Sequence, residues 1–317
     1  MNPKKIAITT GDPDGIGTEV AAKAITELNL DRPIHFYFFR TPHCPKSHLT
    51  MVDKKLYRKE VTSVAEALAE QHIDDTVFFD INQTVNPTFF VKQAAELCLQ
   101  KKIDALVTGP LSKPLIMESG LGVIGHTGLF RQLIPQRPLF MAFVGDHFNV
   151  ALVTDHIPFQ SVPQQLTADR IIACIVECHK LKTKLTHKAD KPLALLGLNP
   201  HAGDSGLIGQ EEKTLLNKII RQCQTEGIAI EGPLVPDVAF QKSNWEKYSF
   251  FVSLYHDQGL IPFKLVHGQE SGVHITMGLQ FVRTSVDHGT AKDIFNQNKA
   301  EPQSMKQALE WAIQAVI

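Results

Sequence analysis

The chain of 317 residues has neither a long hydrophobic run nor an excess of charge of one sign. None of its apolar stretches approaches the roughly 18 consecutive residues that a membrane-spanning helix needs. Its formal net charge of -1 provides no basic surface for nucleic acid or anionic lipid. The amino terminus also lacks the apolar core of a secretory signal peptide. We therefore expect a cytoplasmic protein that binds neither nucleic acid nor membrane.

Paired cysteines and the common nucleotide-binding fingerprints are missing as well. The five cysteines are odd in number and scattered, which favours buried free thiols in a reducing compartment over disulfides. The glycine-containing loop at 11–17 matches neither G-x-G-x-x-G nor the Walker A sequence. An ordinary turn between a strand and a helix and a phosphate-binding turn both remain open for this loop.

Short apolar strands alternate with helical segments along the chain, which is typical of an α/β fold. A hairpin is expected for the strands at 139–144 and 148–154, and an irregular surface segment for 41–60. Four glycines between positions 120 and 128 indicate a hinge or a domain junction. Thr127 in this stretch fits the N-cap of a helix at 129–133.

Three of the predicted strands each deliver a histidine just past their carboxyl ends. The strands and their histidines are 148–154 with His156, 193–198 with His201, and 248–254 with His256. Ligands of open α/β sheets gather at the carboxyl ends of the strands, so the three imidazoles are candidate ligands of one divalent metal ion. A histidine in such a place is more often an ordinary polar residue, and the pattern by itself leaves both interpretations open.

Polar groups also stand where core residues are expected. His126 precedes a helix and is either part of an ordinary helix start or a phosphate ligand. The segment 283–293 is too polar for a core strand and favours a binding loop. Lys264 and Arg283 are isolated cations in apolar sequence surroundings, which either snorkelling or the binding of an anion explains.

Several motifs occur in a fixed order along nearly the whole chain. They are Gly-Asp-Pro-x-Gly-Ile-Gly at 11–17, Val-Thr-Gly-Pro at 107–110 with Lys113, Gly-His-Thr at 125–127, Thr-Asp-His-Ile-Pro at 154–158, Leu-Asn-Pro-His-Ala-Gly at 198–203 with Gly209, Glu211 and Glu212, Tyr-His-Asp-Gln-Gly at 255–259, and Arg-Thr-Ser-Val-Asp-His-Gly-Thr-Ala at 283–291. Together these motifs resemble the 4-hydroxythreonine-4-phosphate dehydrogenase family of vitamin B6 biosynthesis.

The resemblance implies an isocitrate/isopropylmalate dehydrogenase-like fold, with two α/β/α domains and the active site in the cleft between them. The first domain would be discontinuous and comprise residues 1–125 and 285–317. The second, 126–284, would carry the metal ligands and the dimer interface. Such a fold binds NAD without a Rossmann fingerprint. In this family the active site lies at a homodimer interface, with metal ligands drawn from both subunits.

Transferred motif by motif, the resemblance implies roles for individual residues. One divalent metal ion per active site (Zn, Co or Mg) would be bound by His156, His201 and His256. The phosphorylated substrate would be bound by His126, Thr127, Lys264, His274 and Arg283. NAD or NADP would contact Asp287, His288, Gly289 and Thr290. Lys264 and Asp257 are the candidate catalytic residues, and the general base stays open among Asp257, Asp237 and Lys264.

The implied reaction is the NAD-dependent oxidation of 4-phosphooxy-L-threonine (4-hydroxythreonine 4-phosphate) to a β-keto acid, which decarboxylates to 3-amino-2-oxopropyl phosphate. This chain departs from the family pattern in having His274 in place of an asparagine, Val238 in place of a threonine, and a segment 294–298 that is not glycine-rich. A same-family dehydrogenase of 4-phosphothreonate or 4-phosphoerythronate therefore stays open. A three-histidine metallohydrolase and a non-catalytic binding protein are the alternatives from other classes.

Overall fold

A computed structural model describes residues 3–70, 75–185, 187–268 and 271–317. The strands in these ranges are β1 (Lys4–Thr9), β2 (Ile34–Arg40), β3 (Tyr57–Val61), β4 (Val77–Asn82), β5 (Ala105–Thr108), β6 (Phe140–Val144), β7 (Val150–Leu152), β8 (Leu193–Leu196), β9 (Ile230–Leu234), β10 (Phe250–Ser253), β11 (Val273–Met277) and β12 (Val282–Ser285).

The helices in the same ranges are α1 (Gly17–Glu27), α2 (Lys46–Asp53), α3 (Val64–Ala69), α4 (Thr88–Leu99), α5 (Lys113–Glu118), α6 (Gly125–Leu133), α7 (Val162–Gln165), α8 (Ala168–Lys182), α9 (Asn217–Thr225), α10 (Pro236–Ala239), α11 (Lys242–Trp245), α12 (His256–His267) and α13 (Gln303–Val316). Single 3₁₀ turns lie at Phe159–Ser161 and Lys292–Ile294, and a π-helical turn at Glu212–Leu216 precedes α9.

The chain forms two compact units, Met1–Arg137 with Leu279–Ile317 and Pro138–Gly278. This division differs from the predicted domains, because 126–137 and 279–284 belong to the first unit. The reason is local packing: α6 packs against α4, and β12 pairs with β5. His126, Thr127 and Arg283 are therefore residues of the first unit.

The first unit contains a parallel sheet with the strand order β3-β4-β2-β1-β5-β12. Parallel sheets are usually covered by helices on both faces, so their strands are apolar throughout. All of β2 is buried accordingly, and Phe36 and Phe38 are fully inaccessible. Helix α13 packs beside α1, and its Ala308 carbonyl accepts a hydrogen bond of 2.9 Å from Thr284 Oγ1 on β12.

The second unit contains a mixed sheet with the order β11-β6-β7-β10-β8-β9. Strand β6 is antiparallel to β11 and to β7, so the predicted hairpin around Gly145 is confirmed. The other neighbours in this sheet are parallel. Its core is built around Phe148, Phe251 and Phe263, all fully buried. Because β7, β10 and β8 are adjacent and parallel, their carboxyl ends lie at one edge.

Three local predictions are corrected by the structure. The segment 41–60 is not irregular, since it holds α2 and most of β3, whose half-exposed residues explain its polar composition. Thr127 is not an N-cap, because α6 begins earlier, at Gly125. The polar segment that starts at Arg283 begins inside a strand, β12, and the charged side chain is buried there.

None of the helices in the described ranges is long and apolar enough to cross a membrane. The five cysteines are free thiols, and all except Cys44 are buried.

Candidate active site

The three predicted histidines follow three neighbouring strands of the second unit. Strand β10 pairs in parallel with β7 on one side and with β8 on the other. The chain reaches His156 after β7, His201 after β8 and His256 after β10. The apolar strands thus exist where the sequence predicts them, and the sheet brings the loops that follow them to the same edge.

His156 and His256 lie side by side, with ring centroids 5.2 Å apart and ring planes at 45°. His256 Nδ1 is 2.7 Å from Asp257 Oδ1. An ionised carboxylate can only accept a hydrogen bond, so this contact places the proton of a neutral ring on Nδ1. It leaves Nε2 of His256 for a metal ion, with Asp257 orienting the ring from behind.

His201 lies in a strained loop. The residues from His201 to Ser205 all have positive φ, with 54° at His201 and 40° at Asp204. The left-handed conformation costs about 1–2 kcal/mol for each residue that carries a Cβ. Strain of this kind persists only where surrounding contacts enforce it, and it concentrates at functional sites.

The buried carboxylate of Glu212 supplies such contacts. It accepts hydrogen bonds from the backbone N–H groups of Leu198 and Asn199 at 2.9 and 2.8 Å, and from Asn199 Nδ2 at 2.9 Å. Gly203 leaves room for this carboxylate, since a Cβ there would lie 2.6 Å from Glu212 Oε2. The glutamate therefore fixes the segment that presents His201.

Gln258 connects the histidine loops to each other. Its Oε1 accepts a hydrogen bond from the N–H of Leu254 at 2.7 Å, and its Nε2 donates to the carbonyl of Gly197 at 2.7 Å. These atoms lie at the ends of β10 and β8. The amide in the sequence motif is thus a structural link between the His256 and His201 loops.

One chain does not complete a three-ligand site within its described residues. In residues 3–70, 75–185, 187–268 and 271–317, no group of three or more His, Cys, Asp or Glu side chains is arranged to hold a metal ion. His156 and His256 are brought together, but His201 does not join them. The side chains of His156 and His201 are exposed.

The remaining candidates in the second unit lie on separate elements. Lys264 is exposed on α12 and Asp237 is exposed on α10, while His274 is half-buried on β11. The apolar sequence neighbour Phe263 is buried, while Lys264 itself is exposed. The ring of His274 stacks on Phe143, its neighbour across the strands, at 5.0 Å between centroids and 24° between planes.

In the first unit, Arg283 is a buried cation. Arg283 is only 2% exposed to solvent. The guanidinium Nη2 donates a hydrogen bond of 2.6 Å to Thr108 Oγ1, and Cζ lies 5.3 Å from the ring centroid of Phe130. Burial lowers the pKa of Arg283 to about 9, so the side chain still carries its charge at neutral pH.

His126 is another predicted substrate-binding residue of the first unit. Burial and the nearby charge of Arg283 lower the pKa of His126 to about 3, so its ring is neutral at pH 7. The residue is half-buried, yet its Nε2 is inaccessible and has no hydrogen-bond partner. Because a buried polar nitrogen without a partner is unfavourable, this atom is a candidate for a hydrogen bond with a ligand. Thr127 is the next residue on α6 and is half-buried as well.

The predicted cofactor residues lie shortly after β12, and Thr290 among them contacts the glycine-containing loop 11–17. The N–H of Asp287 donates to Ser304 Oγ at 3.0 Å, and His288 Nδ1 donates to the Gly289 carbonyl at 2.9 Å. The carbonyl of Thr290 accepts a hydrogen bond of 3.0 Å from the N–H of Ile16. The loop 11–17 thus supports the segment 287–290.

Two ion pairs also connect the loop 11–17 to the chain just after Thr290. Lys292 Nζ lies 2.9 Å from Asp12 Oδ2 and 2.8 Å from Asp14 Oδ1. A Cβ at Gly11 or Gly17 would overlap with the carbonyl oxygens of Pro110 and Thr10, respectively. Close backbone packing and two carboxylates therefore account for the loop, which favours a structural turn over a phosphate-binding turn.

A family model described as pyridoxal phosphate biosynthetic protein PdxA matches residues 79–312. The chain belongs to the PdxA family. A 4-hydroxythreonine-4-phosphate dehydrogenase from Sulfurihydrogenibium sp. (strain YO3AOP1) is 36% identical, and the match covers 98% of this chain and 97% of the relative. A D-threonate 4-phosphate dehydrogenase from Salmonella typhimurium is 32% identical, and the match covers 99% of both chains.

The crystal structure of a 4-hydroxythreonine-4-phosphate dehydrogenase from Klebsiella pneumoniae is similar over 99% of this chain and 100% of that chain, with a TM-score of 0.78 and 28% identity. The family resemblance drawn from the motifs is confirmed by these matches, as is the mixed α/β fold.

The segment 294–298 contains no glycine, which departs from the pattern that the family resemblance implies. The structure gives a physical account of this departure. Asn296 and Asn298 have φ values of 58° and 57°, the left-handed conformation that glycine adopts freely and asparagine tolerates better than most residues. The segment thus adopts the left-handed conformation at two positions without glycine.

Sequence reasoning gave no individual role to Thr108, Phe130 or Gln258. Thr108 and Gln258 stand inside quoted motifs, so their motif positions were the available signal. Phe130 lies in the helix predicted at 129–133 and carries no signal of its own. Its contact with Arg283 is visible only in the folded chain.

Proposed function

We propose that this chain is a metal- and nicotinamide-dependent dehydrogenase that oxidises 4-hydroxythreonine 4-phosphate. The observation that carries the proposal is the pair of imidazoles, His156 and His256, 5.2 Å apart at the carboxyl edge of parallel strands. It occurs in a chain whose relatives over nearly its full length are dehydrogenases by name.

The proposed reaction has two steps. In the first, the substrate alcohol carbon gives a hydride to NAD or NADP and the hydroxyl proton goes to a base. In the second, the carbon–carbon bond to the carboxylate breaks, carbon dioxide leaves, and the carbon takes up a proton to give 3-amino-2-oxopropyl phosphate. Lys264, Asp257 and Asp237 remain the candidates for the base.

The paired imidazoles fit a divalent metal ion with nitrogen ligands, such as Zn²⁺ or Co²⁺, better than Mg²⁺, which prefers oxygen. When bound, the metal would lower the pKa of the substrate hydroxyl and stabilise charge on its oxygen. Asp257 orients His256 for this role, and Glu212 holds the loop of His201. We propose that His201 comes from the partner subunit of a homodimer.

Exposed apolar side chains support a dimer interface around the histidines. Phe159 is 74% exposed near His156, Leu207 is 84% exposed near His201, and Leu265 is 83% exposed on α12 after His256. Side chains of this kind, when they cluster, mark protein–protein contacts. The dimer would bury them and bring a third imidazole to each pair.

The other predicted residues take their roles in the same proposal. In the first unit, His126, Thr127 and Arg283 would bind the substrate phosphate, and the segment Asp287–Thr290 would contact the nicotinamide cofactor. In the second unit, Lys264 and His274 would bind substrate. The isocitrate/isopropylmalate dehydrogenase-like pair of domains and a cytoplasmic location belong to this proposal too.

The activity is tested by following NADH or NADPH formation with 4-hydroxythreonine 4-phosphate. Activity should require the nucleotide, disappear with a chelator and return with Zn²⁺ or Co²⁺. A three-histidine metallohydrolase would instead turn over after the nucleotide is dialysed away. A non-catalytic binding protein would show no turnover, so His201→Ala would have no activity to remove.

The shared metal site is tested by mixing inactive variants. His201→Ala and His256→Ala homodimers should both be inactive, because each lacks one ligand in every site. A mixed dimer should regain roughly half of the wild-type activity, since one of its two sites would then have all its ligands. The pair His156→Ala and His256→Ala serves as the control and should not complement. If no pair of variants complements, the site is not shared between subunits.

A second substrate is favoured by His274. The relative from Salmonella typhimurium is named for D-threonate 4-phosphate, a substrate without the amine. His274 stands where the family has asparagine, and its ring is held against Phe143. An imidazole and an amide present different hydrogen-bonding groups, so this position is suited to changing which substrate is preferred.

The two substrates are compared in wild type and in His274→Asn. If His274 sets the preference, the variant should shift the ratio of kcat/KM for the two substrates by roughly tenfold, the effect of one hydrogen bond. His147→Asn, another histidine of the second unit, is the control and should leave the ratio unchanged. If the wild type is active on D-threonate 4-phosphate alone, that compound is the substrate and 4-hydroxythreonine 4-phosphate is not.

A further inference from the structure

Arg283 reaches Thr108 because of the register between two strands. In the parallel pairing of β12 with β5, Arg283 lies opposite Leu106, and Ser285 lies opposite Thr108. Residues two apart on a strand share a face, so the side chain of Arg283 extends along this face toward the carboxyl end of β5. There its Nη2 donates to Thr108 Oγ1 at 2.6 Å.

Phe130 restricts the guanidinium from a second direction. Arg283 Cζ lies 5.3 Å from the Phe130 ring centroid, within the range of a cation–π contact. The ring of Phe130 is itself held edge-on by Phe281, with 6.4 Å between centroids and 76° between planes. The guanidinium thus contacts a buried hydroxyl and a buried aromatic face.

His126 indicates what the buried cation is for. His126 and Phe130 are one turn apart on α6 and therefore share a face of the helix. The inaccessible Nε2 of His126 has no hydrogen-bond partner. Burial and the charge of Arg283 both lower the pKa of this ring. A buried guanidinium near an imidazole whose nitrogen lacks a hydrogen-bond partner is suited to an anion with several oxygens, because a guanidinium has its N–H donors in a planar fork.

We propose that Thr108 and Phe130 are positioning residues, which hold Arg283 in the orientation that binds the phosphate group of the substrate together with His126. Neither residue touches the phosphate itself. Phosphate is the substrate class here because its oxygens match the planar fork of the guanidinium. This inference rests on the proposed function for the identity of the whole substrate, but not for the phosphate group.

The test uses Thr108→Val, which removes the acceptor at nearly constant volume, and Thr108→Ser, which keeps it. Thr108→Val should raise KM for 4-hydroxythreonine 4-phosphate roughly tenfold or more, the effect of losing a hydrogen bond to a charged group, with a smaller change in kcat. Thr108→Ser should stay within about threefold of wild type. Phe130→Leu should raise KM in the same direction.

Thr284→Val is the matched control. Thr284 is equally buried and adjacent to Arg283, but its Oγ1 donates to the Ala308 carbonyl at 2.9 Å. This variant loses a buried hydroxyl and stability without losing the contact to Arg283. Its KM should stay near that of wild type, and an equal rise of KM in Thr284→Val and Thr108→Val would overturn the inference.

Inorganic phosphate separates this inference from the proposed function. Phosphate should raise the melting temperature of wild type, Thr108→Ser and Thr284→Val, and much less that of Thr108→Val. That pattern in a protein inactive as a dehydrogenase would refute the proposed function and leave the inference standing. If malonate rather than phosphate shows the pattern, Arg283 takes a carboxylate and the inference is wrong.

Discussion

His267 shows how a structural histidine differs from the histidines of the candidate metal site. It is 3% exposed. Its Nδ1 donates to the Phe263 carbonyl at 2.9 Å, and its Nε2 accepts from the N–H of His147 at 3.1 Å. Both ring nitrogens are thus used inside the protein in one neutral tautomer. The exposed rings of His156 and His201 have no comparable burial.

We predict that His267 makes the protein less stable in mild acid. Burial is the main cause that lowers the pKa of His267, with the charges of His147 and Lys188 adding to it and the Phe263 carbonyl and Asp146 opposing it. The unfolded chain therefore takes up the proton first. The stabilisation is complete above the unfolded pKa near 6.5 and is lost as pH falls through the lower folded value.

Urea unfolding at several pH values between 5 and 8 measures this effect. His267→Gln should lose about 1–3 kcal/mol at pH 8, because it breaks a buried hydrogen-bonded arrangement, and should show a shallower pH dependence than wild type. His43→Gln, at an exposed position, should follow the wild-type curve. Parallel curves for wild type and His267→Gln would show that His267 is not the titrating group.

At the scale of elements, one loop carries His201 and the start of one helix carries His256. The loop after β8 holds His201 in a left-handed conformation through Glu212. Helix α12 starts at His256 and packs so closely on the sheet that a Cβ at Gly259 would lie 2.6 Å from Ser253 Oγ. Apolar runs and the motif predict both segments, but neither the helix after Tyr255 nor the strain of the loop is visible in residue order.

Glu212→Gln should weaken metal binding while the fold persists. The substitution places an amide N–H against donors that Glu212 now accepts from, so the loop of His201 loses part of its support. Groups that orient metal ligands typically affect metal affinity by roughly 10–100-fold. Zn²⁺ titration by calorimetry should show a loss in that range.

Glu211→Gln provides the comparison for this variant. Glu211 also accepts from Asn199 Nδ2, at 2.8 Å, but it is exposed, and exposed charged contacts contribute little. Its Zn²⁺ affinity should remain within a few-fold of wild type. Equal losses in both variants would mean that Asn199, rather than the buried carboxylate, supports the loop.

At the scale of the whole molecule, the second unit presents two paired imidazoles and exposed apolar side chains on α12. Leu265 and Ile261 lie one turn apart on α12, at 83% and 64% exposure. In the proposed dimer, their position after His256 would link assembly to metal binding. A folded monomer would keep the histidine pair but lack the third ligand.

Leu265→Glu should therefore dissociate the proposed dimer and abolish activity at the same time. A buried unpaired carboxylate costs several kcal/mol, and about 1.4 kcal/mol is already tenfold in a dissociation constant. Light scattering after gel filtration should show a monomer with an intact circular dichroism spectrum. Tyr57→Glu, at 64% exposure on the edge strand β3, is the control and should remain dimeric. An active Leu265→Glu monomer would show that each chain holds a complete site.

The sequence by itself determined which chemical groups are available and near which strand ends they occur. His156, His201 and His256 follow recognisable apolar runs, and the ordered motifs identify the PdxA family. These are local signals, because an apolar run and the residues after it are neighbours along the chain. Substrate-binding candidates such as Arg283 were found in the same way.

Only the tertiary structure decided which of these groups meet. Strand β10 lies between β7 and β8, which pairs His156 with His256 and leaves His201 apart. Arg283 meets Thr108 across 175 positions of sequence, through the register of β12 on β5. Strand order and register depend on packing over the whole sheet, so residue periodicity alone does not predict them.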